Sequence, residues 1–413
     1  MSDRRLHVHP SRARDRLIAG GRPRGTPVEP RRRSPAHASS DGAGATLFIT
    51  GASGFVGGRV LREILATRPH LRVVALVRRR DQRSTSMADP RVSVVLGDLT
   101  RADLGLDAAC RRRLGRTVTE LLHCAAATSF ALPIDAARAV NTEGTRAVLA
   151  FARRLPKLGR LGHVSTVYVA GRTAGFIAEA PAPDRAAGFC NAYQQSKREA
   201  EDLVLDAMRD VPAAIYRLSS IVGDSRTGRV DQWNHVHQLM RLFPRNVLPI
   251  APGDPTAPID LIPSDWAIPA LAHRFAARFA PGSIAQICAG PGASLSVREL
   301  VDLTARAYAR HPRRREWPDI RIPELVTLRE FEAYVARHRR AGDRLFGELL
   351  RVLGLFLPHL AIPQAFDNRA ALEGLSEIGL ELPPIRDYYE RIVTYGLDTA
   401  WGKGLPADRT ACA

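Results

Sequence analysis

The sequence predicts an α/β protein, a doubly wound parallel sheet followed by a smaller, mostly helical C-terminal region. Three observations carry this. From Thr46 to about Ser219, short β-branched runs alternate with segments of helical period. The stretch TLFITGASGFVGGRVLREIL, Thr46 to Leu65, sets four glycines between the first such run and the first helical segment. Past about Pro249 the alternation stops, and the chain turns Pro-rich and then helical.

Taken in order, TLFIT reads as a strand and residues 54–66 as a helix. RVVALV (72–77), VSVVLGD (92–98), TELLHCAA (119–126), RLGHVSTVYV (160–169) and AAIYRLS (213–219) read as further strands. Helices are expected over IDAARAVNTEGTRAVLAFARRL (134–155) and about residues 191–209. Strands joined through helices of that length pair in parallel and carry helices on both faces. In the C-terminal part, helices are expected over 296–310 and through the 320s to 350s.

Composition narrows the class. The chain has 413 residues, is 45% hydrophobic and 25% charged, and carries a net charge of +18. That is enough chain for one large and one smaller domain. Residues 1–44 hold ten Arg against Asp3, Asp15, Glu29 and Asp41, and the remaining excess is spread along the rest. With no basic helix-turn-helix and no aromatic-interleaved motif, this charge argues against nucleic acid as a partner. The tail has no apolar core of a secretory signal and reads as a disordered basic segment. Cys110, Cys124, Cys190, Cys288 and Cys412 are odd in number, widely spaced and without CxxC or Cys/His ligand spacing. They predict free thiols in a reducing compartment, the cytoplasm, and no metal site. The most apolar stretch, LFGELLRVLGLFLPHL (345–360), is short and interrupted by Glu348, Arg351 and Pro358, so no transmembrane segment is expected.

The glycines stand where the first strand hands over to the first helix, at Gly51, Gly54 and Gly57. A tight turn needs positive φ, and a backbone approaching a pyrophosphate cannot tolerate a Cβ. The helix N-terminus then directs free N–H groups at the phosphates. This context predicts dinucleotide binding on a Rossmann-type sheet. The second strand ends in LVRRRDQR, with Arg78, Arg79 and Arg80 where a carboxylate would hold an NAD ribose. Arg78 there suits a 2′-phosphate and favours NADP over NAD. Asp98, ending the third strand, either accepts from the adenine amine or caps its own loop.

A second motif, NAYQQSKREAEDLV, places Tyr193 and Lys197 four apart on one helix face. Random placement of the 8 Tyr and three Lys would give about 0.06 such pairs. An ammonium beside a phenol is expected to lower its pKa and make it an acid-base catalyst. Upstream, GHVSTVYVAG ends a strand with the hydroxyls of Ser165 and Thr166, on the side where ligands bind in open α/β sheets. Tyr168 has Arg172, not Lys, at the fourth position and is the weaker candidate.

TGASGFVGG, GDL, HCAAATSF, VNTEGT, HVSTVYVAG, YQQSK and RLSSIVGDSRTG, in this order, resemble the extended branch of the short-chain dehydrogenase/reductase superfamily. The resemblance covers about Ala45 to Asp265. It implies Thr166, Tyr193 and Lys197 as catalytic positions. It also implies Gly51, Gly54, Phe55, Val56, Arg78, Asp98, Leu99, Ala125 and Ala126 as cofactor positions, with Tyr193 and Lys197 shared. HVSTVYVAG with the Tyr-Lys helix, IDLIPSDWAIPAL and the tail IRDYYERIVTYGLDTAW are similar to the fatty acyl-CoA reductase and thioester reductase group. The Arg-rich stretch 311–344 has no counterpart in that likeness.

The organisation expected is therefore a tail over 1–44, an NADP-binding Rossmann domain over 45–290 and a helical substrate-binding region over 291–413. The resemblance implies an NADPH-dependent oxidoreductase that reduces an acyl thioester, presented on CoA or an acyl carrier protein, to aldehyde or alcohol. The segment 346–360 would line an acyl tunnel, rest on a membrane surface or pack in the second domain's core. Two alternatives stay open: a ketone, hydroxyl or nucleotide-sugar enzyme on the same scaffold, and a non-catalytic NADP-sensing regulator.

Overall fold

The computed structural model describes residues 44–79, 89–246, 249–317, 319–340, 354 and 357–403. Most of the basic tail, Arg80, most of 345–360 and Cys412 lie outside them. The chain from Asp41 onward forms one compact unit.

Its centre is a seven-stranded sheet. The strands are β1 (Thr46–Thr50), β2 (Arg72–Val77), β3 (Val92–Leu96), β4 (Glu120–His123), β5 (Arg160–Thr166), β6 (Ala213–Leu218) and β7 (Ile284–Ile287). They pair in parallel throughout, in the order β3-β2-β1-β4-β5-β6-β7. The first six are the strands the β-branched runs predict; several end two to three residues earlier than expected. VYVA, expected to continue β5, instead turns into a 3-10 helix, Val167–Ala170, because the Thr166 side chain accepts from the Tyr168 N–H and bends the backbone.

Helices α1 (Phe55–Thr67), α2 (Ala108–Thr117), α3 (Ile134–Ala152) and α4 (Ala192–Ala207) connect the early strands. α5 (His235–Leu242), α6 (Ser264–Ala276), α7 (Val297–Arg310), α8 (Leu328–Arg340) and α9 (Ile385–Asp398) follow. Apolar residues of α1 and α6 (Val60, Leu61, Ile64; Trp266, Leu271, Phe275) bury one face of the sheet. Val148, Leu149 and Phe151 of α3 with Val204 and Ala207 of α4 bury the other. Both faces covered is what near-continuous apolar strands such as Leu47–Ile49 require.

A third core lies beside the sheet's carboxyl edge. It gathers Val222, Val230, Val236 and Met240 with Leu295, Leu303, Tyr308, Tyr388, Tyr389 and Ile392. Its residues come from both before and after position 290. Short pairs tie it together, such as Ser220–Ile221 with Leu261–Ile262 and Ile250–Pro252 with Glu324–Val326. The Arg-rich stretch supplies a 3-10 turn, Arg314–Glu316, one strand of that second pair, Glu324–Val326, and α8. Among the described residues no helix is long and apolar enough to cross a membrane.

Candidate active site

The strand order reverses at β1, between β2 and β4, so the crevice opens where β1 and β4 end. Gly51 follows β1 with φ +77°, and a Cβ there would stand 2.5 Å from the Ala125 nitrogen. A Cβ on Gly57 would stand 2.3 Å from the Gly51 oxygen. These two glycines let the turn tuck beneath the loop after β4. Gly54 is the N-cap of α1, no side chain caps that helix, and its first turn holds no acid. The amides of Phe55 and Val56 and the positive end of the helix are thus left for an anion. An uncapped cradle of this kind fits a dinucleotide pyrophosphate.

Around the rim, Arg78 is exposed at the end of β2. The Asp98 carboxylate accepts from the Thr100 N–H (2.9 Å) and hydroxyl (2.8 Å), so it caps its own loop. Those bonds, with the charges of Arg78 and Arg101, hold its pKa below the usual range. Leu99 is buried against α3 at Gly144. Ala125 donates to the Thr50 hydroxyl (3.3 Å). Ala126 follows in the same loop, which Asn141 of α3 stitches down. Asn141 accepts from the Ala127 N–H (2.8 Å) and donates to the Ala127 carbonyl (3.0 Å) and the Ser196 hydroxyl (2.9 Å).

The catalytic candidates meet across β5 and α4. Asn191 caps α4, accepting from Gln194 N–H at 3.1 Å. Tyr193, Lys197 and Glu201 then fall one turn apart on the face toward β5. Thr166, the last residue of β5 and 4% exposed, faces the Tyr193 side chain. Burial pushes the phenol up to about 12, with the nearby Thr166 hydroxyl opposing. This corrects the expected lowering by Lys197: burial dominates, and the hydroxyl stays protonated at neutral pH, the state a proton donor needs. Lys197, 3% exposed, donates to the Val164 carbonyl (2.8 Å) and faces His163 Nε2 at 3.4 Å. Burial lowers it to about 8, against the pull of Glu201 and Cys124.

Of the two strand-end hydroxyls, Ser165 is committed elsewhere. It donates to Glu201 at 2.8 Å, and Glu201 pairs with the fully buried Arg217. Thr166 alone of the two faces Tyr193.

Above Tyr193 lies an aromatic wall that the sequence reading missed. Phe130 stacks on Tyr193 (centroids 5.4 Å) and on His235 (4.8 Å). His359 stands 5.8 Å from Phe130 and 5.2 Å from Tyr168, whose hydroxyl bonds Ser220 at 2.8 Å. Burial holds His235 down at about 3 and His359 at about 4, so both rings are neutral. The wall is assembled from four distant segments. Phe130 and Tyr168 do fall inside HCAAATSF and HVSTVYVAG, which the family likeness marks, and His359 falls inside the apolar stretch 345–360; nothing local marks His235.

Behind the wall is a cavity of about 110 Å³, lined by Val236, Leu239, Met240, Leu300, Leu325, Leu357 and Leu360, with Arg321 and Asn246 among its polar contacts. α5 and the 3-10 turn Leu357–Ala361 each present a histidine to the wall and leucines to the cavity. Among the described residues no group of His, Cys, Asp and Glu could hold a metal ion.

Comparison with known proteins agrees with this geometry. Residues 49–271, more than half the chain, match the NAD_binding_4 family, described as male sterility protein. The chain is 31% identical over 253 residues to the non-canonical nonribosomal peptide synthetase cpsA of Aspergillus campestris, covering 55% of this chain and 24% of that protein. It is 33% identical over 235 residues to the isonitrile lipopeptide synthase of Streptomyces coeruleorubidus, covering 52% and 16%. The chain thus spans about a quarter or less of the length of these relatives. The crystal structure of the terminal R domain from the myxalamid PKS-NRPS pathway superposes with a TM-score of 0.70 at 25% identity, over 88% of this chain and 93% of that one. With a Rossmann cradle and a Thr-Tyr-Lys cluster in one crevice, the chain belongs to the male sterility protein (NAD_binding_4) family, as a thioester-reductase-like, NAD(P)-binding reductase on the extended short-chain dehydrogenase/reductase fold.

Proposed function

We propose that this chain is an NADPH-dependent thioester reductase, acting on an apolar acyl group presented as a thioester of CoA or, more in keeping with its synthetase relatives, of a carrier domain. The observation that carries the reading is the Thr166–Tyr193 pair lying beneath an uncharged aromatic wall with an apolar cavity behind it. A dry cavity of ~150 Å³ can hold a benzene, so this one suits the end of a short hydrocarbon chain. Sugar nucleotides would instead call for a mainly polar lining, whereas Arg321 and Asn246 here stand among a majority of apolar side chains. Arg78 beside the crevice supports NADP through its 2′-phosphate. Free thiols at Cys110, Cys124, Cys190 and Cys288 support a cytoplasmic setting.

When bound, NADPH supplies hydride to the acyl carbonyl carbon. The protonated Tyr193 hydroxyl gives its proton to the carbonyl oxygen as negative charge develops there, and Thr166 stabilises the same oxygen. Lys197, with one donor fixed on Val164 and a second facing His163, keeps its third for a ribose hydroxyl. The hemithioacetal then breaks its C–S bond, releasing aldehyde and free thiol; a second reduction would give the alcohol.

The test is NADPH oxidation at 340 nm with acyl-CoAs, carrier-bound acyl groups, aldehydes and ketones, with products and thiol release identified. We expect thiol release with wild type and about a 10³-fold loss in Tyr193→Phe with NADPH binding kept. Turnover of aldehydes or ketones alone would remove the thioester from the reading. A Tyr193→Phe chain unchanged in its biological effect would point to a regulator.

A further inference from the structure

We infer that His163, on β5 and remote from the Tyr-Lys motif, is a positioning residue that aims the Lys197 ammonium at the cofactor ribose by accepting a hydrogen bond from it. The inference rests on the site reading above, in which Lys197 holds the ribose.

His163 is fully buried, and its Nε2 lies 3.4 Å from Lys197 Nζ. An ammonium has only donors, so Nε2 must be the acceptor and the ring proton must sit on Nδ1. That Nδ1 is buried with no hydrogen-bond partner among the described residues. Leaving a buried donor unmade is costly, so the imidazole is not there to complete a structural network. His123 on the neighbouring strand β4 shows the contrast. Its Nδ1 meets the Thr50 hydroxyl at 2.7 Å and its Nε2 the Thr145 hydroxyl at 3.0 Å, so both nitrogens are engaged. Among the described residues the His163 ring has one hydrogen-bond partner, and that partner is the lysine.

The choice of imidazole has a physical sense. A carboxylate at this place would clamp the ammonium in an ion pair and raise its pKa; a neutral ring directs it without neutralising it. Burial and the charges of Lys197 and His123 keep His163 well below its ordinary pKa, hence neutral. The other groups facing Lys197 are Glu201 of α4, Cys124 after β4, His123 of β4 and the Val164 carbonyl of β5. Glu201 is itself engaged by Arg217 of β6.

The experiment is calorimetric titration with NADPH between pH 6 and 10, on wild type, His163→Gln, His163→Asn and His163→Phe, with circular dichroism to verify folding. A Gln side chain reaches the Nε2 position with its carbonyl oxygen; Asn reaches only Nδ1, and Phe fills the space with no acceptor. Wild-type affinity should decline through about pH 8, as Lys197 loses its proton. Asn and Phe variants should bind NADPH about tenfold more weakly at pH 7 and begin that decline about one unit lower, because the charged lysine has lost a hydrogen bond. The Gln variant should stay within about twofold of wild type. If Phe does not fold, the Gln and Asn pair decides. Folded Asn or Phe variants with the wild-type affinity and pH profile, or a Gln variant as weak as Asn, would overturn the inference. Because binding is read without any thioester, failure of the acyl substrate reading leaves this result standing. A wild-type chain that binds no NADPH would remove the cofactor reading and this inference together.

Discussion

The crevice has two walls built in different ways. The β5–α4 wall carries Thr166, Tyr193 and Lys197 on a strand and a helix, and the buried Glu201 of α4 is paired with the buried Arg217 of the adjoining strand β6. The opposite wall carries Phe130, His235 and His359 on a loop, the start of a short helix and a 3-10 turn. It is tied by strand pairs of two or three residues, and the buried Tyr388 hydroxyl has no partner among the described residues. In the proposed reading, chemistry that must be held to fractions of an ångström stands on the wall with the buried ion pair, and recognition of an acyl group, which tolerates adjustment, on the other.

The sharpest way to break that contrast is to unpair the rigid wall. Arg217→Met leaves the Glu201 carboxylate buried without its cation, and should cost about 3–5 kcal/mol in denaturant unfolding. Arg153→Ala, at an exposed pair with Asp210, should leave the unfolding midpoint unchanged. A small effect at Arg217 would mean that the β5–α4 wall is no better held than its counterpart.

Acid should act on the second wall. His235 is depressed to about 3, His359 and His237 to about 4, and on the rigid side His123 to about 3. Each folded-state pKa lies below the unfolded value near 6.5, so from pH 6.5 downward the unfolded chain binds protons that the folded chain refuses. Their stability contribution is complete above about pH 6.5 and is lost as pH falls toward 3 to 4. The slope is about 1.4 kcal/mol per pH unit for each histidine. Urea midpoints measured from pH 7 to 5 should fall accordingly, with His235, His237 and His359 acting from the adaptable side and His123 and the likewise depressed His163 from the rigid one. A flat profile over that interval would show the rings to be hydrated and the wall open.

The two walls also differ in how plainly they are written in the sequence. β1 to β6, α1, α3 and α4 were legible because burying both faces of a parallel sheet forces apolar runs and helical period into contiguous stretches. Tyr193, Lys197 and Gly51 were legible because spacing and backbone geometry demand those residue types. α6 was not: Trp266 to Phe275 is apolar on nearly all sides, with Pro269 inside it, so no amphipathic stripe marks it. β7 was lost for a related reason, four residues of which only the pairing with β6 makes a strand. His235 and His359 acquire meaning only through a contact between segments more than a hundred residues apart, which no local period encodes. His163 looked like an ordinary strand residue until Lys197 was placed beside it.

The cavity gives a finer test of the adaptable wall. Leu239→Trp should fill the space behind His235, raising KM about tenfold for thioesters of six or more carbons while leaving a two-carbon thioester unaffected. An equal loss on both would mean that the indole displaces the wall itself and that the cavity holds no part of the substrate.

The smallest effect is expected at the cofactor rim. Arg78 is exposed, so its attraction for a 2′-phosphate is screened by solvent and salt and falls short of a buried pair. Arg78→Ser should weaken NADPH about fivefold at low ionic strength, leave NADH unchanged and lose most of the difference at high salt. The direction matters more than the size. Asp98, across the rim, already spends one carboxylate oxygen on its own loop and is drawn toward Arg78 by charge. Removing the arginine therefore strips a cation from the phosphate and leaves an anion near it, and both changes disfavour NADPH over NADH. If instead NADH and NADPH weaken together, Arg78 serves the shape of the β2 loop and carries no preference for NADP.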